Sequence, residues 1–174
     1  IVQQAAEVGL YGWEFLAEGM MNDKTGITTP MAIEEIFWGD AGIGMAIMGS
    51  GLAAAGIAAS ATSDQVMEWV PQCYGDAKDV KVGAFCASEP DAGSDVAAYR
   101  TRAVYDEATD EGVLNGTKAW ITNGGIANIH VVVAVVDPEL RAKGHASFIV
   151  PPNTPGLSQG QKYKKHGSRA SHTA

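Results

Sequence analysis

The apolar pattern of this chain changes period once, near residue 76, and that change limits the fold more than any other feature. Before it the segments read as helices; after it they read as short strands. Helices and strands gathered into separate runs argue for an α+β fold, or for separate helical and β domains. The expected division is 1–76, a partial helical N-terminal domain, and 77–174, a partial β-domain. A length of 174 residues suffices for one domain or two small ones and for a buried core.

In the first half, Thr29 followed by Pro30 reads as a helix start, a hydroxyl N-cap with proline at the first helical position. Ile33, Ile36 and Phe37 then share one side, and Gly39-Asp40 interrupts. Thr62 with Gln65 three residues on is a capping box. It opens a short helix through Val66, Trp69 and Val70 that Pro71 closes. From Ala41 to Ser63 no residue is charged, which is long enough to span a bilayer. The run is mostly Gly, Ala and Ser, however, with few large side chains to supply transfer energy. A buried helix with close helix packing is expected, and no membrane span.

In the second half, Val82, Ala84 and Cys86 alternate onto one face, and Tyr99 to Tyr105 is a further alternating strand. Asp106 to Gly112 reads as a turn. Asn115-Gly116, between Val113-Leu114 and Thr117–Ile121, is a strong hairpin signal. Val131–Val136 and Ala146–Val150 complete an expected antiparallel set.

With 20 acidic and 12 basic residues the formal net charge is −8. Lys162, Lys164 and Lys165 are the nearest approach to a basic run, so binding nucleic acid by phosphate neutralisation is not expected. Cys73 and Cys86 form no CxxC pair and read as free buried thiols of a cytoplasmic protein. His130, His145, His166 and His172 are too scattered for a metal site. No signal peptide opens the sequence, and a start at Ile1 rather than Met points to missing residues upstream.

Three segments could carry chemistry. Gly49-Ser50-Gly51-Leu52-Ala53-Ala54 fits a dinucleotide fingerprint, but no strand precedes it and no acidic residue ends a second strand about twenty residues on; small residues for tight helix packing explain it better. Residues 85–98, FCASEPDAGSDVAA, leave a strand at Pro90 and turn at Ala92-Gly93. Ser88, Ser94 and nearby amides then lie on a polar loop, ordinary in itself yet able to hold a hydrogen-bonding ligand. Residues 114–125, LNGTKAWITNGG, put Trp120 and Thr122 on one face of one strand. They are either a core indole with a surface hydroxyl, or a stacking ring and a hydrogen bond for a flat heteroaromatic ligand.

Together these segments resemble the acyl-CoA dehydrogenase family. Ser88-Glu89-Pro90-Asp91-Ala92-Gly93-Ser94-Asp95 is similar to its first signature, and Leu114 to Asn123 to its second, with matching order and spacing. Thr62 to Gln65 is similar to its capped helix before the β-domain, and Gly167 to Ser171 to its G-x-R-x-S segment. The resemblance implies a helical N-terminal domain, a β-barrel-like middle domain and a C-terminal helical domain, with FAD bound beside the β-domain. It implies that Phe85, Ala87 and Ser88 lie along the isoalloxazine. Gly93 and Ser94 would sit near the flavin and the thioester or CoA arm, Ser94 also binding substrate. Trp120, Ile121 and Thr122 would pack on and hydrogen-bond the ring, and Arg169 would face the phosphate or adenine side of FAD.

The implied reaction removes hydrogens from the α and β carbons of an acyl-CoA in fatty-acid β-oxidation, with an electron-transferring flavoprotein as the usual partner. The resemblance names no catalytic base here, because in most members it comes from the C-terminal domain, expected to be absent. Glu89 is expected to be structural. Ala87, Gly112 and Ser168 are smaller than the family's usual residues. Same-fold monooxygenases or nitroalkane oxidases, and a catalytically inactive binding module, are the alternatives. An incomplete barrel edge implies a homo-oligomer or pairing with a complementary chain.

Overall fold

The computed structural model describes residues 1–15, 17 and 22–174, so the helical reading over 16 and 18–21 lies outside the described residues. The helices whose bounds lie within the described residues come first: α1 (Val2–Glu7), α2 (Thr28–Gly39), α3 (Ala41–Met48), α4 (Ser50–Ala58) and α5 (Ser63–Trp69). Five strands follow: β1 (Gly83–Cys86), β2 (Arg102–Asp106), β3 (Glu111–Asn115), β4 (Ile129–Val135) and β5 (His145–Val150). The fold is α+β, as the change of period implies. Short 3₁₀ turns occupy Pro71–Cys73, Val96–Ala98 and Pro138–Lys143.

The sheet is mixed and open rather than a closed antiparallel barrel. β4 is its centre. β5 lies antiparallel along one edge, with His130 opposite Val150 and Val135 opposite His145. β1 lies along the other edge and runs parallel to β4, with Phe85 opposite Val131. The connection between them, which carries β2 and β3, is long enough to bring the chain back in the same direction. β2 takes over that same edge at Val135 through a single parallel bridge from Arg102. The neighbour along one edge of β4 therefore changes from β1 to β2 between Val132 and Val135.

The small-residue run is helical as expected. α3 and α4 abut at Gly49, whose φ of −59° and ψ of −34° are themselves helical. Ala41–Ala58 is the one helix among the described residues long and apolar enough to cross a membrane, and 44% of it is buried within the fold. The small residues serve close packing. A Cβ on Gly44 would come 2.6 Å from Phe37 Cε2, and one on Gly56 would come 2.8 Å from Phe85 Cδ2. The G-x-G-x-x-A resemblance thus lies inside a helix, with no phosphate-binding turn. The main core joins both halves of the chain, uniting Ala53 and Ile57 of α4 with Ile129 and Val131 of β4.

Local chemistry accounts for the other boundaries. The Thr62 capping box forms, with Gln65 N–H on the Thr62 hydroxyl at 3.3 Å and Thr62 N–H on Gln65 Oε1 at 2.9 Å. α2 starts at Thr28, not after Thr29, because the Asp23 carboxylate accepts the Thr28 N–H at 2.7 Å. Asn115-Gly116 is not a hairpin turn. β2 and β3 reverse through 107–110, where Asp106 accepts the Ala108 N–H and Asp110 has φ 56°. Gly116 instead approaches Thr101 so closely that a Cβ would lie 2.6 Å from Thr101 Cα. Residues 117–121 are irregular rather than a strand.

Two glycines separate packing from strand propensity. A Cβ on Gly83 would lie 2.8 Å from Ala53 Cβ and 3.0 Å from Cys73 Cβ, both rigid, whereas Gly112 has open space. Gly83→Ala should lower stability by about 1–3 kcal/mol through overpacking. Gly112→Thr, opposite Tyr105 in the hairpin, should raise it by up to about 1 kcal/mol. Urea unfolding of the two variants, read against the parent chain, checks both signs.

Candidate functional site

The site is built on the free edge of β1. Along a strand, alternate residues direct their N–H and C=O groups to the same edge. At Gly83 that outward pair is satisfied by side chains. Its N–H donates to Ser50 Oγ at 3.0 Å and its C=O accepts from Asn123 Nδ2 at 3.0 Å. Four residues on, the Ala87 carbonyl accepts from Lys118 Nζ at 2.8 Å. Residues 118–123 therefore run antiparallel beside β1, held to its edge by side chains instead of a ladder. Ile121 fills the gap, buried against Ala84 and Cys86.

The far side of this segment is also tied down. Ile121 exchanges two backbone hydrogen bonds with Ala174, at 2.7 and 3.0 Å, and Asn123 N–H donates to the His172 carbonyl at 2.5 Å. Trp120 and Asn123 take φ of 58° and 64°. The left-handed turn at Trp120 removes it from any strand, so Trp120 and Thr122 do not share a strand face. With its neighbours' backbones pinned, the Trp120 ring stands 56% exposed. Thr122 is half-buried, its methyl so near α3 and α4 that a Cβ on Gly49 would meet it at 2.8 Å.

The loop after β1 closes on itself. Glu89 N–H donates to Ala92 O at 2.8 Å and Ala92 N–H to Glu89 O at 3.2 Å, forming a tight turn around Pro90-Asp91. Gly93 and Ser94 are exposed beyond it, and Ala87 and Ser88 are half-buried before it. The Ser88 carbonyl accepts the Ala119 N–H at 3.0 Å, bringing the loop beside Trp120. Among the described residues, neither the Ser88 nor the Thr122 hydroxyl has a protein hydrogen-bond partner.

Glu89 anchors this arrangement from below. It is 4% exposed and accepts from Arg100 N–H at 2.7 Å, Thr101 N–H at 2.9 Å and Lys118 Nζ at 2.9 Å. Burial pushes its pKa up, but the Lys118 ammonium and the Arg100–Thr101 hydrogen bonds together outweigh burial and hold it at about 2. The same bonds take the Arg100 and Thr101 amides, so β2 begins at Arg102 rather than Tyr99. Tyr99 is buried, with Lys118 Nζ 4.5 Å from its ring centroid and His145 stacked at 5.4 Å.

The structure thus gathers Ala87, Ser88, Trp120, Ile121 and Thr122, with Gly93 and Ser94 on the exposed continuation of the loop. Phe85 is turned the other way, against Gly56 of α4, because alternate side chains of β1 face the helix. Arg169 is exposed, and its carbonyl accepts from Lys162 Nζ at 2.6 Å. Its segment reaches the site through the 171–174 tail that borders Thr122 and Asn123. Cys73 and Cys86 are free and buried, and burial pushes both thiols up to about 12. Lys118, Tyr99 and Asn123 were not singled out from the sequence, although Lys118 and Asn123 lie in the second motif.

Residues 84–174 match the model of the acyl-CoA dehydrogenase middle domain. The chain belongs to the acyl-CoA dehydrogenase family. The short-chain specific acyl-CoA dehydrogenase of Rattus norvegicus is 39% identical over 175 residues, covering 99% of this chain and 41% of the rat protein. Butyryl-CoA dehydrogenase from Megasphaera elsdenii superposes with a TM-score of 0.83 at 30% identity, over 99% of this chain and 45% of that one. A glutaryl-CoA dehydrogenase from Mycobacterium smegmatis, solved in complex with FADH2, gives 0.80 at 31% identity, over 99% and 42%. The chain spans about two fifths of the length of these family members.

The depressed Glu89 pKa fixes the sign of an acid effect. Its folded value of about 2 lies below the ordinary 4.5. Its contribution is therefore full above about pH 4.5 and is lost as pH falls through about 2. The stability gap between the parent chain and Glu89→Gln should narrow steadily over that window. Denaturant unfolding at a series of pH values checks this; a gap independent of pH would show that the carboxylate is not held ionised.

Proposed function

We propose that this chain supplies the flavin-facing wall of an FAD-dependent acyl-CoA dehydrogenase. The observation that carries the proposal is the exposed Trp120 indole on a turn whose neighbours are pinned by backbone bonds, with two nearby residues, Ser88 and Thr122, whose hydroxyls have no protein partner among the described residues. A flat apolar ring with donors at its margin suits the isoalloxazine of FAD, one part stacking and the others hydrogen-bonding. FAD held there would supply the hydride acceptor for the β carbon of an acyl-CoA thioester whose α proton is removed by a base.

The chain's own residues have distinct tasks in this reading. Trp120 packs on the ring, and Ile121, buried beneath, keeps that turn against β1. Ser88, Thr122 and the neighbouring amides offer hydrogen bonds. Gly93 and Ser94, exposed past the Pro90 turn, meet the thioester or the CoA arm. Phe85 acts from behind by holding β1 against α4, and Arg169 serves the phosphate or adenine end of the cofactor. The base is not Glu89, whose oxygens are committed to Lys118 and two amides and whose lowered pKa makes it a weak proton acceptor. We assign the base to a part of the enzyme outside the matched region. Electrons pass onward to an electron-transferring flavoprotein, in fatty-acid β-oxidation. The working enzyme is a homo-oligomer or a pairing with a complementary chain that covers exposed residues such as Met31 and Trp38.

The visible spectrum after FAD addition and desalting tests this reading. A retained flavin band at about one equivalent, bleached by butyryl-CoA without oxygen once a complementary chain is present, is the expected result. No retained flavin would overturn the claim that the wall is assembled here. Trp120→Ala should weaken FAD binding about three- to tenfold. Its unfolding midpoint should hardly move, because the ring is more than half exposed.

A further inference from the structure

Lys118 has no part in the functions assigned above, yet it is among the most deeply placed charges described. Its side chain is 10% exposed and that of Glu89 is 6% exposed. A lysine ammonium has three protons to place. Here its neighbours are the Ala87 carbonyl at 2.8 Å, Glu89 Oε1 at 2.9 Å and the Tyr99 ring, whose centroid is 4.5 Å away. All three belong to the loop that follows β1. The lysine belongs to the other segment of the site, two residues before Trp120. The Ala119 N–H to Ser88 carbonyl bond, at 3.0 Å, lies immediately beside it.

Burying such a pair is a poor route to stability, because apolar residues of similar volume fill the space without desolvating two charges. What an ion pair provides and a methylene chain does not is a fixed distance and direction between two backbones. Here those backbones carry the unpartnered Ser88 hydroxyl on one side and Trp120 with Thr122 on the other.

We propose that Lys118 and Glu89 form a positioning pair that sets the spacing between the Ser88–Ser94 loop and the Trp120–Thr122 turn, and so the fit of the flavin between them. The proposal rests on the flavin reading above. Neither residue touches the ligand in this account; both act through the backbones they hold.

The test compares the parent chain with Lys118→Met/Glu89→Gln and Lys118→Arg. The double variant leaves no buried charge without a partner, and the glutamine oxygen at position 89 can still accept one of the two amides, Arg100 or Thr101, that the two carboxylate oxygens of Glu89 take separately. Removing the desolvation penalty of two buried charges offsets the one lost amide bond, so its unfolding midpoint should stay near that of the parent. Hydrogen exchange read without flavin should show roughly tenfold less protection at the Ala119 amide. The amides of Ile57 in α4 and Val131 in β4 should be unchanged. FAD should bind the double variant roughly tenfold more weakly, with the visible band shifted toward that of free FAD. Lys118→Arg, which keeps the charge, should restore binding to within about threefold of the parent.

Two results would overturn the proposal: unchanged Ala119 protection, or lost protection with unaltered FAD affinity and band shape. The second would make the pair merely structural. If the parent chain itself fails to hold FAD, the flavin reading falls and this proposal with it. That failure is distinguishable because it appears before any variant is compared.

Discussion

The arrangement depends on how β1, a strand with one open edge, is closed. Four residues along it have to satisfy two neighbours of different kinds. Toward the helices, Gly83 and Phe85 must leave room for α4, which is why Gly83 has no side chain and Gly56 accepts the Phe85 ring. Toward the site, Ala84 and Cys86 must leave room for Ile121. The Gly83 peptide joins the two sides, its N–H held by Ser50 from the helix and its C=O by Asn123 from the site segment. An open strand edge ordinarily invites pairing with another strand. Here side chains occupy it, and the segment that supplies them is the one that displays Trp120.

Ser50 is itself placed by a second contact. Its hydroxyl lies 2.7 Å from that of Tyr11, which donates to the Lys81 carbonyl at 2.5 Å, just before β1 begins. Desolvation pushes the Tyr11 phenol up to about 12, so it remains a neutral hydrogen-bonding group at ordinary pH. The helical half thus reaches the site through a short chain of hydrogen bonds as well as through apolar packing. The division near residue 76 marks a change of secondary structure, with a continuous core on both sides of it.

Features governed by neighbours in sequence were legible before the structure. The Thr62 capping box, the alternation of Ala84 and Cys86, the apolar β4 and the small-residue helix all depend on local geometry or composition, and all are present. Features governed by distant partners were not. Asn115-Gly116 has hairpin chemistry, but Gly116 is needed for its approach to Thr101, and the reversal lies at 107–110, inside the 106–112 stretch that did read as a turn. The parallel pairing of β1 with β4 has no local signal at all. The motifs marked Trp120 and Thr122, while the left-handed turn that separates their faces arises from bonds to Ala174 and His172, some fifty residues on. Lys118 looked like one more charged residue, because only the fold shows that Ala87, Glu89 and Tyr99 surround it.

The loop after β1 is fastened at its beginning and at its end, and hardly at all between. Ala87 and Glu89 fix the first end; Tyr99, Arg100 and Thr101 fix the second, and both ends attach along the same edge of β4. Between them, residues 93–98 lie on the surface. A chain built this way divides its evolutionary freedom. Substitutions or small insertions in that span can reshape what a second ligand meets without moving the anchors or the indole beside them. One scaffold can therefore acquire different substrate preferences while its cofactor wall stays the same.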